Sequence, residues 1–500
     1  MAAADPVVAR RVRATDGRLA PRSPHFYHDE TLVAGDGSVA LRAAPVTSRI
    51  LRSSAAIGLA ASLVIAQAAA ASESIIRDTE IEGDIRTMVT PIWKAAGLEP
   101  SSLHVYLVED KQINSFVAGG QNEFINSGLI MRSETPNQLI GVLAHETGHI
   151  AGGHLTRFQE AARNASIEGI IAMVLAAAAT VAGRGSGGGG ALLGAQGVAE
   201  RAFMQYSITQ EASADHAAMT FLDASGQSAR GLLQFFQILQ GEEMLAGIRE
   251  DPYLRTHPLT AQRIDYVRNH VEHSRFSNVP DSQINIDLLK RIKVKLDAFI
   301  SPPSSTLAAY PEKDQSVLAR YARAIAYYRI PKLDKALPII DGLIRDYPND
   351  PYYRELKGQM LFENGRIAEA VQPYENAVRL APAAPLLRIS LAQVYIESND
   401  PKVNKRAIAY LNDAMRTEDK EAQGWHLLAT AYGRDNQIGM AALSLAEEGL
   451  AAGKKKDAQQ QALRAKALLP KNSAGYNRAE NIHSEAEHME ESAGGVANSR

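Results

Sequence analysis

The segment Ala144–His154, AHETGHIAGGH, puts three histidines and one glutamate into an otherwise apolar, helix-like stretch. On a helix His145 and His149 stand four residues apart, one turn from each other on the same face. Two neutral imidazoles at that spacing can share one Zn²⁺ and leave positions open for water and substrate. Glu146 can lean toward that water and serve as its general base, while zinc brings the water's acidity toward neutrality. The preceding residues, LIGVLA, are strongly apolar, so this helix carries charged groups into a core. A buried charge needs a partner, and a metal supplies one.

A third protein ligand must come from elsewhere. The pattern H-E-x-x-H-x-x-G-x-x-H would put a histidine at position 155. Gly152 fits it, but position 155 is Leu155, and His154 falls one residue early. His154 therefore reads as a helix-end residue satisfying the last carbonyls. The other scheme takes a glutamate from a later helix. In EASAD, Glu211 is the candidate ligand, and Asp215, one turn on along the same face, is placed to orient a metal-bound histidine. The surrounding helix is alanine-rich and weakly polar, which favours this use over a solvated face.

H-E-x-x-H, then E-x-x-A-D, then T-H-P ahead of R-I resemble the gluzincin family of membrane-associated metallopeptidases that includes the CAAX prenyl proteases. An export signal and C-terminal repeats, described below, narrow the resemblance to a periplasmic branch; it covers about residues 75–470. The resemblance implies that His145, His149 and Glu211 hold one Zn²⁺ per chain and that Glu146 activates water. His257, in THPLTAQRI, matches a histidine that in the periplasmic branch approaches the zinc, which implies a residue filling the open position at rest and swinging away for catalysis. By its chemistry alone His257 can equally hydrogen-bond the tetrahedral oxyanion, and both readings stay open. Arg263 is expected to brace this loop by an ion pair. Phe116, Val117 and Ala118, in SFVAGGQNEFINSG, are expected on an edge strand to which an extended substrate adds.

The elements that must position these residues follow from periodicity. IEGDIRTMVTPIWKAAG reads as a helix and LHVYLVED as a strand. Ile113–Ile130 alternates around Gly119 and Gly120 as a β-hairpin. Helices follow over 137–163 and 201–241, with a loop carrying His257 ahead of another helix. Between them IEGIIAMVLAAAATVAG is too short and too polar to span a bilayer; it reads as a buried helix or as an amphipathic element near a membrane surface, and the glycine run after it as a flexible connection. SPPSS at 301–305 reads as a linker. Beyond it Ala324, Ala336, Ile340, Leu343 and Pro348 recur 34 residues on as Gly358, Ala370, Tyr374, Ala377 and Pro382. Small residues where helices touch and a closing proline are the mechanics of tetratricopeptide repeats. A third copy runs through Ala392 to Ala414 with a short insertion around Pro401–Lys405, and a fourth opens at Trp425. The polar tail after Pro470 is expected to be disordered.

The expected fold class is mainly α: an α+β zincin-type metallopeptidase domain with a small β-hairpin sheet, followed by an α-solenoid of tetratricopeptide repeats. The expected limits are an extension without domain character over 1–45, a signal peptide over 46–71, a peptidase domain over 72–300, repeats over 301–470 and a tail over 471–500. In a chain of 500 residues, 45% hydrophobic and 22% charged, a substantial core is expected. A net charge of -3 gives no reason to expect nucleic acid. The absence of cysteine removes thiolate ligands, a cysteine nucleophile and disulfides. With these features the resemblance implies a periplasmic zinc endopeptidase acting on unfolded or misfolded outer-membrane proteins alongside the barrel-assembly machinery, with room for peripheral membrane contact. The alternative is a chaperone or assembly factor that binds clients through its repeats with little proteolysis; the intact Glu146 argues against it.

Arg49–Arg52, the apolar run Ala55–Gln67 and the small-residue stretch AQAAAAS have the layout of a secretory signal. It begins about fifty residues in, so translation from Val46 is expected, with a mature terminus near Ser72. N-terminal sequencing of the exported protein is expected to read from about that position; a terminus at Ala2 would refute the assignment.

Overall fold

Strand β1 (Ile75–Ile76) opens the part of the chain described by this computed structural model, residues 75–118, 120–154, 193–246 and 257–489. The expected signal peptide, the extension before it, the apolar run after Ser166 and the glycine-rich connection lie outside the described residues. Helix α1 (Thr79–Ala95) starts where the Asp78 side chain accepts the Ile81 N–H, and its Ile81, Ile85, Met88, Val89, Ile92 and Trp93 form one buried stripe. Strands β2 (His104–Val108), β3 (Ser115–Ala118) and β4 (Asn122–Asn126) complete a four-stranded sheet in the order β1-β2-β4-β3. β2 and β4 pair in parallel, the other pairs antiparallel, and β1 and β3 are the two outer strands. The alternating segment is thus a hairpin as expected, but its last residues turn into helix α2 (Ser127–Arg132).

Helix α3 (Pro136–Ala151) carries the two histidines. Thr135 caps it by accepting the Gln138 N–H, and Pro136 occupies the first helical position, where a missing N–H costs nothing. Its Leu139, Ile140, Val142 and Leu143 are wholly buried in a core shared with Trp93, Phe235, Phe236 and Leu296. Around it stand α4 (Leu193–Ala224), α5 (Arg230–Ala246), α6 (Ala261–His273) and α7 (Gln283–Ile300). Among the described residues no helix is long and apolar enough to cross a membrane.

The expected linker contains instead a short helix, α8 (Pro303–Ala309), started by its own proline. Paired helices follow: α9 (Val317–Arg329) with α10 (Leu333–Asp346), α11 (Pro351–Glu363) with α12 (Ile367–Leu380), α13 (Pro385–Glu397) with α14 (Pro401–Ala414), and α15 (Ala422–Arg434) with α16 (Ile438–Ala451). The recurring small positions sit at helix contacts, and a Cβ at Gly358 would stand 2.5 Å from the Tyr374 ring. α13 and α14 still begin 34 residues after α11 and α12, so the insertion does not fall around Pro401–Lys405. The extra length lies in the loop 415–421 that follows α14. The tail also departs from expectation. α17 (Lys455–Leu468) pairs with α18 (Ala474–Glu487), whose Ala479, Ile482 and Ala486 are fully buried, and Met489 packs beside them. A stripe of small apolar residues is enough there, because a terminal helix of a repeat array needs only one buried face.

A buried polar clasp joins the repeats to the sheet. Arg77, directly after β1, pairs with Glu82 at 3.0 Å, Glu418 at 2.7 Å and Glu421 at 2.6 Å; the last two lie in the lengthened loop. Thr79 donates to Glu355 at 2.8 Å, and the Tyr321 hydroxyl to Glu80 at 2.6 Å. Lys295 on α7 holds Asp78 at 2.7 Å and Glu80 at 2.9 Å, and Arg291 bridges Glu80 to Asp350. Carboxyls outnumber cations here, so some must stay neutral. Burial pushes Glu82 up to about 7 against the pull of Arg77, and pushes Asp84 and Glu355 up to about 8.

An acid with a raised folded pKa binds its proton more tightly when folded, so its contribution to stability declines as pH rises. For Glu355 that decline runs from the unfolded value, about 4.5, to about 8. Glu355→Gln, which removes the ionisation, is therefore expected to gain stability relative to wild type between about pH 5 and pH 8.5 in urea unfolding. A stability difference that does not change across that window would show that Glu355 is not held neutral.

Candidate functional site

Two glycines let the helices around His145 close in. A Cβ at Gly141 would stand 2.8 Å from the Leu232 N of α5, and one at Gly148 would stand 2.7 Å from the Ala214 carbonyl oxygen of α4. Ala214 lies between Glu211 and Asp215, so this approach brings both carboxylates against the histidines. His145, Glu146 and Asp215 are completely buried, and His149, Glu211 and His257 nearly so. His145 Nε2 stands 3.1 Å from His149 Nε2 and 3.2 Å from Glu211, and His149 Nε2 also stands 3.2 Å from Glu211. His257 Nδ1 is 3.4 Å from His145 Nε2 and 3.2 Å from both Glu211 oxygens. One ligand atom from each of these four residues lies within 4.8 Å of all the others.

Hydrogen bonds on the far sides of the rings decide what faces inward. Asp215 accepts from His145 Nδ1 at 2.9 Å. The Ser115 carbonyl accepts from His257 Nε2 at 3.2 Å. An ionised carboxylate and a carbonyl only accept, so those ring nitrogens carry the hydrogens, and in the neutral rings His145 Nε2 and His257 Nδ1 turn lone pairs toward Glu211. Lone pairs and a carboxylate converging without water repel one another unless a cation stands among them. Ligand atoms about 2.0–2.2 Å from a tetrahedral zinc stand roughly 3.3–3.6 Å apart. The spacings found here are close to that, so the residues fit such an ion.

One guanidinium pairs with two of the surrounding carboxylates. Arg263, one turn into α6 after the Thr260 cap, donates to Asp215 at 2.6 and 2.9 Å, to the Pro258 carbonyl at 2.9 Å, and pairs with Glu211 at 2.9 Å. It braces the His257 loop as expected, and it also grips both carboxylates. Burial would raise Glu211, but His257 and Arg263 hold it well below the usual carboxylate range; Arg263 does the same for Asp215 against its own burial. Burial would lower His145, yet its hydrogen bonds to Asp215 and Glu211 raise it to about 9, whereas burial takes His149 down to about 4. A metal ion must displace the proton from His145 to bind there.

Glu146 lies beside the cluster, with Oε1 3.5 Å from His257 Nε2, and neither of its oxygens has a hydrogen-bond partner among the described residues. Burial raises its pKa. Phe116, Val117 and Ala118 lie on β3, all buried, with Phe116 stacked on Phe124 at 5.0 Å. Because Asn126 N–H donates to the Asn114 carbonyl, antiparallel alternation turns the peptide groups of Ser115 and Val117 outward, away from β4.

Three participants were missed by sequence reasoning. Glu123, cross-strand from Val117, is fully buried, and burial together with Glu146 pushes its pKa well above the carboxylate range. A charge at an alternating position of the hairpin was its only signal. The Ser115 carbonyl carries no sequence signal at all. His154 serves a helix-end carbonyl through its backbone, whose N–H donates to the His149 carbonyl at 3.1 Å, but the role of its ring was missed: its Nδ1 lies 3.2 Å from His149 Nδ1.

Residues 76–271 match peptidase family M48, and residues 361–431 match the tetratricopeptide repeat. The chain is 26% identical over 389 residues to the beta-barrel assembly-enhancing protease of Yersinia pestis, covering 76% of this chain and 78% of that one. The protein of the same description from Escherichia coli K12 is 25% identical over 367 residues, covering 72% and 73%. The metalloprotease LoiP of Escherichia coli K12 is 29% identical over 171 residues, 34% of this chain and 63% of its own length.

Gly148→Ala is expected to push α4 away from α3 and to destabilise the protein by about 1–3 kcal/mol, as overpacking does. It should also loosen the spacing of Glu211 from the histidines. Thermal unfolding together with metal titration checks both effects; unchanged values would mean that the helix contact does not set the site.

Proposed function

We propose that this chain, which joins a peptidase family M48 domain to tetratricopeptide repeats, is a zinc-dependent endopeptidase of the periplasm that acts in the quality control or assembly of outer-membrane proteins. The observation that carries the reading is the convergence of His145, His149 and Glu211 at 3.1–3.2 Å, with His257 beside them and the Glu146 carboxylate flanking the cluster. His145, His149 and Glu211 would hold one zinc ion. When bound, zinc supplies a Lewis acid that polarises the scissile carbonyl and makes water a nucleophile near neutral pH.

The residues of the chain divide the remaining work. Asp215 accepts the His145 Nδ1 hydrogen and so fixes that ring, and Arg263 keeps Asp215 and Glu211 ionised. Glu146 takes the proton from the attacking water and returns it to the leaving amine. Burial raises its pKa above the usual carboxylate value, which makes it a stronger base toward that proton. An extended substrate pairs with the outward peptide groups of Ser115 and Val117, alongside Phe116 and Ala118. In the arrangement found here His257 occupies both destinations: its Nδ1 stands among the ligand atoms and its Nε2 on the Ser115 carbonyl. Substrate must displace it from that carbonyl, which makes His257 a restraint at rest, and once displaced it is placed to donate to the developing oxyanion.

The working division of the mature chain is a peptidase domain over 72–300 and a repeat domain from 301, which α18, after Pro470, extends to about residue 489. The similarity to proteins named for beta-barrel assembly supports barrel proteins and their assembly machinery as clients and partners of the repeats.

The test is to express Ser72–Arg500, measure bound metal, and follow casein cleavage by wild type, Glu146→Gln and His257→Ala. About one zinc per chain is expected. Glu146→Gln should keep the metal and lose about 10²–10⁴-fold in rate, and His257→Ala should cleave faster. Zinc with no cleavage by any variant would favour a client-binding factor, and absence of zinc would refute the site.

A further inference from the structure

We propose that His154 is a positioning residue for His149: it accepts the His149 Nδ1 hydrogen and thereby aims His149 Nε2 at the metal. The inference rests on the zinc site proposed above. Two successive glycines fold the chain back at the end of α3. Gly152 caps the helix, and Gly153 takes φ +60°, a conformation that L residues rarely adopt. The His154 N–H then donates to the His149 carbonyl at 3.1 Å, and its ring swings over the helix end. The two imidazoles meet edge to face, with centroids 5.1 Å apart and planes at 82°. Gly152 leaves the space for this, since a Cβ there would stand 2.4 Å from His154 Nε2.

The polarity of the contact follows from the other end of His149. Its Nε2 points at Glu211 and His145, among the ligand atoms, and must offer a lone pair to a metal ion. In a neutral ring the hydrogen then sits on Nδ1. His154 Nδ1, 3.2 Å away, is the acceptor, and its own hydrogen sits on Nε2. Histidine ligands usually donate their second N–H to a carboxylate, a carbonyl or water. His145 does so, through an Asp215 that Arg263 holds charged. His149 is oriented instead by a neutral ring, so one histidine ligand is braced by an ion pair and the other by a hinge of two glycines.

The experiment measures zinc affinity by chelator competition in the full mature chain. An acceptor at the Nδ1 position is retained in His154→Asn, whose amide oxygen lies there, and lost in His154→Leu. His154→Leu should weaken zinc binding about 10–100-fold, the range for removing a partner of a metal-bound histidine. His154→Asn should stay within about threefold of wild type. Gly152→Ala keeps His154 but displaces its ring, and should weaken zinc as His154→Leu does. Metal-free thermal stability is expected to be alike in all four proteins. Equal zinc affinity in wild type and His154→Leu would overturn the proposal, as would equal losses in the Leu and Asn variants, which would indicate packing alone. A wild type that binds no zinc would overturn the metal site itself, and this proposal with it.

Discussion

Three carboxylates and three imidazoles buried around one point, with a single guanidinium among them, are the constraint from which the peptidase domain takes its form. Water is excluded from Glu146, Glu211, Asp215, His145, His149 and His257, so every charge must be answered by another group of the chain or by an ion. Arg263 answers two of the acids, and His145 answers them in part when protonated. The rest of the architecture serves this balance: an apolar helix to carry the histidines inward, glycines that let α4 and α5 close on it, and a capped helix that delivers Arg263 one turn from Thr260. Such a cluster is costly without a cation and stable with one.

Much of this was legible in the sequence, because helical spacing converts directly into direction. His145 and His149 share a face for the same reason that Glu211 and Asp215 do, and the 34-residue recurrence fixed which small residues would touch in the repeats. Features set by one torsion angle or by distant parts of the chain were not legible. His154 missed the expected third-ligand position by one residue, and its true direction depends on the positive φ of Gly153. The segment after Pro470 looked too polar to pack, since its buried apolar residues are only a sparse stripe of Ala479, Ile482, Ala486 and Met489. Those residues suffice because the preceding helices already bury the other side.

The clasp between the repeats and the sheet belongs to the same class. Nothing local marks Arg77 as a partner of Glu418 and Glu421, which lie more than three hundred residues away. The three-residue lengthening before α15 acquires a meaning only there, because the loop it enlarges brings both glutamates to Arg77. Buried ion pairs of this kind add little net stability, but a missing partner leaves an uncompensated charge, so they fix how two surfaces meet.

The sheet order β1-β2-β4-β3 leaves β3 as the outer strand beside the site. A polypeptide laid along it would be held by main-chain groups, which every residue except proline offers alike. Selection at such a margin falls on backbone availability rather than on side-chain identity. A strand already paired on both sides, as in a closed barrel, has no groups left to give. A strand still unpaired can offer all of them, so a substrate that adds to β3 as proposed would be chosen for its free backbone, without its sequence being read.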